Sequence, residues 1–351
     1  MADDLATAVK RSEPVQSAAR ALPAWLPQLA AYREASAGRA VWQLANTLVP
    51  YGCLWFLMIR SMQLGYSYAV TFALAVLAAA FLVRVFILFH DCVHGSLFRQ
   101  KGLNTFFGYV LGVLVFTPFE DWRFSHLRHH VSYANLDTRG FGDIWTLTLT
   151  EYNRASRGQR LAYRLFRAPL VLLGCGALFS FLFRFRLPAH KSTRVEWASV
   201  WFTNVLILGV ALYAGHTIGW RVYLLIQIPL IWMAGAAGIW LFYVQHQFDG
   251  VYWSRKENWD PLRAALEGSS YYQLPAVLRW FSSNIGYHHV HHLGPRIPNY
   301  RLQQCYAAIP ALQAKPPLTF RQSLHAIRLK IWDEDRGQLV GFRAASVERN
   351  L

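Results

Sequence analysis

The chain has 351 residues, 54% of them hydrophobic, and a net charge of +16 carried by 29 Arg and 6 Lys. Nucleic-acid binding would need that charge gathered in one polar domain; here it lies between apolar runs, as the excess of Lys and Arg on the cytoplasmic side of membrane proteins does. Cys53, Cys92, Cys175 and Cys305 show no CxxC or framework spacing, which argues against a zinc knuckle and a disulfide scaffold.

Residues 1–40 mix Asp3, Asp4, Lys10, Arg11, Glu13 and Arg20 with alanines. They lack the order of basic, apolar and small-residue regions that marks a cleavable signal, so this segment is expected to stay cytoplasmic and uncleaved. Near-continuous apolar runs follow at Val41–Ile59, Tyr68–Phe89, Ala198–Gly215 and Val222–Val244. Each approaches the roughly 20 residues that cross a bilayer as helix, which predicts four spans. Two shorter runs, Leu103–Phe119 and Ala168–Phe183, are read as interfacial or re-entrant. Pro50 and Pro229 are expected to kink their spans. Arg84, inside the second run, is expected to snorkel or pair near the interface. Trp42, Trp122, Trp220 and Trp253 fall near predicted span ends, where aromatic belts form.

The histidines carry the chemistry. Nine of 13 fall in four groups at or near the edges of these runs: His90/His94, His126/His129/His130, His246 and His288/His291/His292. On a helix, positions i, i+3 and i+4 share a face, so HDCVH offers two imidazoles to one side, and HLRHH and HHVHH offer three each. At this His content two HxxHH patterns arise by chance on the order of 1 time in 10,000, so a scatter of core or surface histidines explains the groups poorly. His289 sits one residue off the shared face and is left out. His190, His216 and His325 have no neighbours of ligand type and are read as solvated.

Eight or nine imidazoles without a cysteine partner exceed the four ligands a zinc ion usually takes, so two metals are implied. Imidazole suits Zn, Cu, Fe or Ni, and ligand type alone does not name the element. The chain has no HExxH protease pattern and no Glu-x-x-His of a carboxylate-bridged bundle. A histidine-rich pair of irons beside a greasy compartment, able to bind and reduce O2, is the favoured reading. Asp91, Asp121, Asp143 and Asp249 are candidate partners for the second N–H of ligand imidazoles.

One metal site needs all boxes on one side of the membrane, so the chain must cross an even number of times between them. The run 103–119 then cannot be a single full span. Arg164 and Arg167 before the run 168–183, and Arg184, Arg186, Lys191 and Arg194 after it, make both its flanks cytoplasmic, and Gly174 and Gly176 weaken a straight helix there. The expected fold is therefore an all-α integral membrane protein: four transmembrane helices, two interfacial or re-entrant helices, and a cytoplasmic helical cap carrying the histidine boxes. The expected division is 1–40, 41–310 and 311–351, with the middle part holding membrane and metal.

The boxes HDCVH, HLRHH and HHVHH, in that order between apolar spans, resemble those of membrane fatty acid desaturases and related lipid hydroxylases. Asp121-Trp122-Arg123, LDTRGFGDIWTLTLTEY at 136–152, YVQHQF at 243–248 and NIGYHHVHHLGPRIPNYRL at 284–302 sharpen the likeness to bacterial acyl-lipid desaturases of the delta-12 (omega-6) and delta-5 type. The resemblance covers about residues 40–310. It implies a di-iron centre held by His90, His94, His126, His129, His130, His288, His291 and His292, with His246 as an additional ligand. It also implies O2-dependent removal of two hydrogens from adjacent methylenes of a membrane-lipid acyl chain, leaving a cis double bond and two waters. The headgroup would rest near cytoplasmic Arg. The chain carries no dinucleotide fingerprint, haem attachment or fused cytochrome b5 motif, so two electrons per turnover would come from a separate, ferredoxin-like donor. A lipid hydroxylase or carotenoid ketolase would use the same irons. A metal transporter or sensor would place its histidines nearer the bilayer midplane.

Overall fold

Ser36 accepts a hydrogen bond from the backbone N–H of Arg39 and starts the first long helix, α1 (Ala37–Gln63). It belongs to a computed structural model that describes residues 22–140, 142–189 and 192–344. α2 (Tyr68–His94) follows after a short turn and runs without a break into the first histidine pair. α3 (Lys101–Leu114) and α4 (Phe119–Ser132) meet at 102°. Phe116 takes a left-handed backbone at that corner (φ 54°), and Arg186 donates to its carbonyl. The run 103–119 thus turns sharply instead of continuing as one straight helix.

The short helices α5 (Leu149–Arg154) and α6 (Arg157–Phe166) each begin with a reciprocal cap, Thr148 with Glu151 and Ser156 with Gln159. Beyond α6 the chain forms a π-helical turn over Leu170–Cys175 and then α7 (Gly176–Leu182), bent by 65° from α6. Thr193 and Glu196 cap α8 (Arg194–Ala214). A π turn over Gly215–Gly219 leads into α9 (Trp220–His246). Gly219 takes φ 86°, a conformation open to glycine at little cost, and there the chain turns back. Two contacts fix that reversal: Ser199 near the start of α8 accepts from the N–H of Glu120 in α4, whereas Leu225 near the start of α9 accepts from Tyr68 at the start of α2. α2 and α9 therefore both run toward the histidine end. Pro50 and Pro229 lie inside uninterrupted helices.

By length and composition, α2 and the continuous stretch Arg194–His246 are apolar enough to cross a membrane, and up to four candidates result if each bent pair counts as one span. α1, expected as the first span, is 27 residues long but less apolar than these. The shared core packs Leu44, Tyr51 and Met58 of α1 against Ala78, Leu82 and Val85 of α2, with Ile226 and Leu230 of α9. α8 instead exposes Val205, Leu208, Val210, Leu212 and Tyr213. A face so apolar is not suited to water and fits contact with lipid tails. The apolar helices thus associate the chain with a membrane.

The remaining segments form a mainly helical layer at the histidine end: α10 (Pro261–Glu267), α11 (Ala276–Phe281), α12 (His288–Leu293), α13 (Asn299–Ala308) and α14 (Phe320–Ala326). One element departs from the all-α expectation. β1 (Ile331–Asp333) and β2 (Gln338–Val340) form an antiparallel hairpin with Ile331 opposite Val340. Ile, Trp, Leu and Val flank an Asp-Glu-Asp-Arg-Gly turn, a composition that favours a tight hairpin. Trp332 and Leu339 pack with Tyr133 and Trp253, so residues beyond 311 are joined to the histidine layer.

Candidate metal centre

Helical spacing decides where each imidazole goes. His90 and His94 end α2; His126, His129 and His130 lie on α4; His246 ends α9; His288, His291 and His292 lie on α12. His90, His94, His126, His130 and His291 form one group, and His129, His246 and His292 a second, with ligand atoms in each within 4.8 Å of one another. His288 joins the second group, its Nε2 2.9 Å from that of His246 and 3.1 Å from that of His292. Both HxxHH boxes are therefore divided. In each, the i and i+4 histidines face one group and the i+3 histidine the other.

The donor set fits metal ions. Nε2–Nε2 separations are 2.9 Å for His94–His126, 3.2 Å for His126–His130, 3.1 Å for His130–His291 and 3.2 Å for His129–His246. Two nitrogens bound at right angles to one ion, each at about 2.1 Å, lie about 3.0 Å apart. Burial foremost, and then neighbouring imidazoles, push His126, His130, His288, His291 and His292 well below the ordinary histidine range. They are held neutral, with the lone pair a metal needs. His130 and His292 stack at 4.2 Å between ring centroids, so the two groups abut.

The supporting shell is specific. Asp143 Oδ1 lies 2.6 Å from His129 Nδ1. Asp91 Oδ2 accepts from the backbone N–H of Asn299 at 2.9 Å and from its side chain at 2.8 Å, and Asn299 in turn exchanges two hydrogen bonds with Gln43. α1, α2 and α13 are thus tied together beside the first box. Asp121 accepts instead from Ala189 and Ser192, and Asp249 is exposed. Neither of these two is aimed at a histidine ring.

Two neighbours of the imidazoles escaped the sequence reading. Trp122 stacks on His126 at 4.3 Å and 14°, and is partly buried among Phe86 and Phe89 instead of marking a lipid boundary. Tyr133 packs its ring 4.2 Å from His246 and 5.0 Å from His129, and donates to the carbonyls of His246 and Gly268. A signal existed: Trp122 is four residues before His126 on α4, and Tyr133, the first residue past the end of α4, is four after His129. Trp253 is buried against Tyr133, whereas Trp42 and Trp220 are exposed. Arg84 is buried, donates to Thr47 and to the Trp280 carbonyl, and lies 4.0 Å over the Trp280 ring; it does not snorkel. His289 faces the Leu312 carbonyl, His216 and His325 are exposed, and His190 lies outside the described residues.

A model of the family described as fatty acid desaturase matches residues 66–323. The chain belongs to the fatty acid desaturase family. It is 44% identical over 317 residues to a Bacillus subtilis protein named fatty acid desaturase, covering 90% of each chain. A sn-1 acyl-lipid omega-3 desaturase (ferredoxin) of Synechocystis is 26% identical, covering 64% of this chain and 63% of its own. A sn-1 oleoyl-lipid 12-desaturase of Picosynechococcus is also 26% identical, covering 65% of each chain. This desaturase is an oxidoreductase, and its histidine-rich cluster fits a bound metal such as iron.

Proposed function

We propose that this desaturase holds two irons: one with His90, His94, His126, His130 and His291, the other with His129, His246, His288 and His292. The division of each HxxHH box between two imidazole groups carries the reading. Bound iron would supply O2 activation, and two external electrons per turnover would complete the reduction to water. The chain's own residues do the rest. Asp143 fixes the Nδ1 proton of His129 so that Nε2 faces inward. Trp122 and Tyr133 cover the imidazoles with apolar ring surface, which helps exclude water. Methylenes are chemically alike, so placement of the acyl chain selects the carbons.

The proposed product is a cis double bond in a membrane-lipid acyl chain, delta-12 (omega-6)-like, in keeping with the name of the Picosynechococcus relative. A ferredoxin-like donor is proposed on the same footing, since the Synechocystis relative's name includes one. α1, α2, α8 and α9 would cross a bacterial plasma membrane, with the two bent pairs returning to the face they left. The 102° and 65° bends and the exposed apolar side of α8 support that path. The histidine layer would be cytoplasmic, where the Arg excess lies. Residues 41–310 would form the catalytic body between cytoplasmic segments 1–40 and 311–351.

The test is expression in a host lacking polyunsaturated lipids, with new double bonds located by mass spectrometry. The parent should yield a new unsaturated species and His129→Ala none. A hydroxylated product would instead identify a lipid hydroxylase built on the same centre.

A further inference from the structure

α4 and the start of α8 enclose an open groove of about 290 Å³. Its polar walls are Glu120, Arg123, Thr193 and Glu196, and its apolar walls are Phe124, Leu127 and Val195. These walls are held in place by the protein alone: the Glu120 N–H donates to Ser199 Oγ at 3.0 Å, and Thr193 and Glu196 cap α8 reciprocally. Phe124 and Val195 are 48% and 61% exposed. Near the start of α8, Trp197 and Trp201 are exposed as well, with their ring centroids 5.7 Å apart. Indole rings at the polar end of an apolar helix mark the headgroup level of a bilayer.

The polar side presents both signs of charge. Arg123 donates through Nη1 to Glu120 Oε2 at 3.2 Å and makes no other hydrogen bond among the described residues, which leaves its Nη2 free. Glu120 keeps its second carboxylate oxygen unpaired, and so does Glu196, whose Oε2 accepts from the Thr193 N–H at 3.0 Å. The groove thus carries one cation and two carboxylates beside an apolar wall. An anionic headgroup would meet Arg123 but also an uncompensated carboxylate, and a sugar headgroup would leave all the charges unmatched. A phosphate joined to an ammonium by two carbons matches both signs at once.

We propose that this groove holds the headgroup of a phosphatidylethanolamine, its phosphate on Arg123 and its ammonium on Glu120 and Glu196, with the acyl chains leaving over Phe124, Leu127 and Val195. The inference rests on the acyl-lipid reading above and names the headgroup class of that substrate. Arg123 and Leu127 directly follow Trp122 and His126 in sequence, and Trp122 stacks on His126, so the lipid is held on the helix that carries the second histidine box. A headgroup fixed there sets the reach of its acyl chain to the imidazoles, and reach selects among methylenes that are chemically alike.

Full-length protein, stripped of lipid in detergent and left without metal, is titrated with spin-labelled phosphatidylethanolamine, phosphatidylglycerol and an uncharged galactolipid of the same chains. The parent should prefer phosphatidylethanolamine to each of the others by about fivefold, the size that one part-exposed ion pair allows. Glu120→Gln should bring the two phospholipids level, Arg123→Gln should bring phosphatidylethanolamine down to the galactolipid, and Arg123→Lys should restore it; circular dichroism and melting temperature report that the variants fold. Equal binding of all three lipids by the parent would reduce the groove to an apolar surface and overturn the proposal. A preference for phosphatidylglycerol, or an unchanged preference in Glu120→Gln, would overturn it too, as would competition by free phosphoethanolamine at equal affinity, which would identify a soluble ligand. Because the titration involves no turnover, its failure is separable from failure of the desaturation test. In a host whose membrane holds both phospholipids, new double bonds should accumulate first in phosphatidylethanolamine, and equal accumulation would overturn the substrate assignment.

Discussion

The Asp143 carboxylate lies 2.6 Å from Nδ1 of His129, with the two side chains 4% and 1% exposed. The pair spans 14 residues of sequence, and the loop after α4 folds back to close it. A carboxylate in that place holds the proton on Nδ1 and turns the Nε2 lone pair toward His246, 3.2 Å away. Asp143→Asn should keep the fold and weaken metal at the second group about 10–100-fold. Metal analysis during stepwise chelation would show one ion leaving early and the other at the parent concentration. Simultaneous loss of both would contradict the assignment.

The divided boxes make a paired prediction. His126→Ala removes a nitrogen from the five-imidazole group and His129→Ala one from the four-imidazole group. Each should lower metal content from two ions toward one, in spectroscopically different sites. Identical residual spectra would mean that both residues serve one site.

Gly286 is two residues before His288, and a Cβ there would stand 2.5 Å from the carbonyl oxygen of Tyr272. That obstacle is backbone, itself fixed by the 2.7 Å bond from the Tyr272 N–H to the Gly286 carbonyl. Gly286→Ala should cost about 1–3 kcal/mol through overpacking and displace α12. Thermal unfolding together with metal content measures both effects, and a parent-like melting temperature would refute the close approach.

Asn299 satisfies Asp91 twice and Gln43 twice in a buried network. Asn299→Ala leaves one backbone bond to Asp91 and strands the Gln43 amide, a loss of about 1–3 kcal/mol. Denaturant unfolding should register it, and the double variant with Gln43→Leu should recover part of the loss.

Much of the site was legible because helical periodicity maps spacing onto faces: i and i+4 histidines had to share a side, and α2 and α9 had to deliver His90, His94 and His246 from the ends of apolar runs. What spacing could not give was the partition, since a face shared by three imidazoles does not reveal that the i+3 member serves a second group. Asp143 could not be told from Asp121 and Asp249, because loop closure and not sequence distance selects it. Arg84 was expected to snorkel or pair near the interface; it is buried and held by Thr47 and Trp280, with α11 packed over it, a tertiary contact with no local signature. The β1–β2 hairpin was overlooked because strands of three residues are too short for alternation to show.

X-ray absorption at the metal edge, with elemental analysis of protein purified without added metal, tests the central claim most directly. The account predicts two irons per chain with a nitrogen-rich first shell at about 2.0–2.2 Å, dominated by imidazole scattering. A single ion per chain, or zinc in a four-coordinate site, would contradict it.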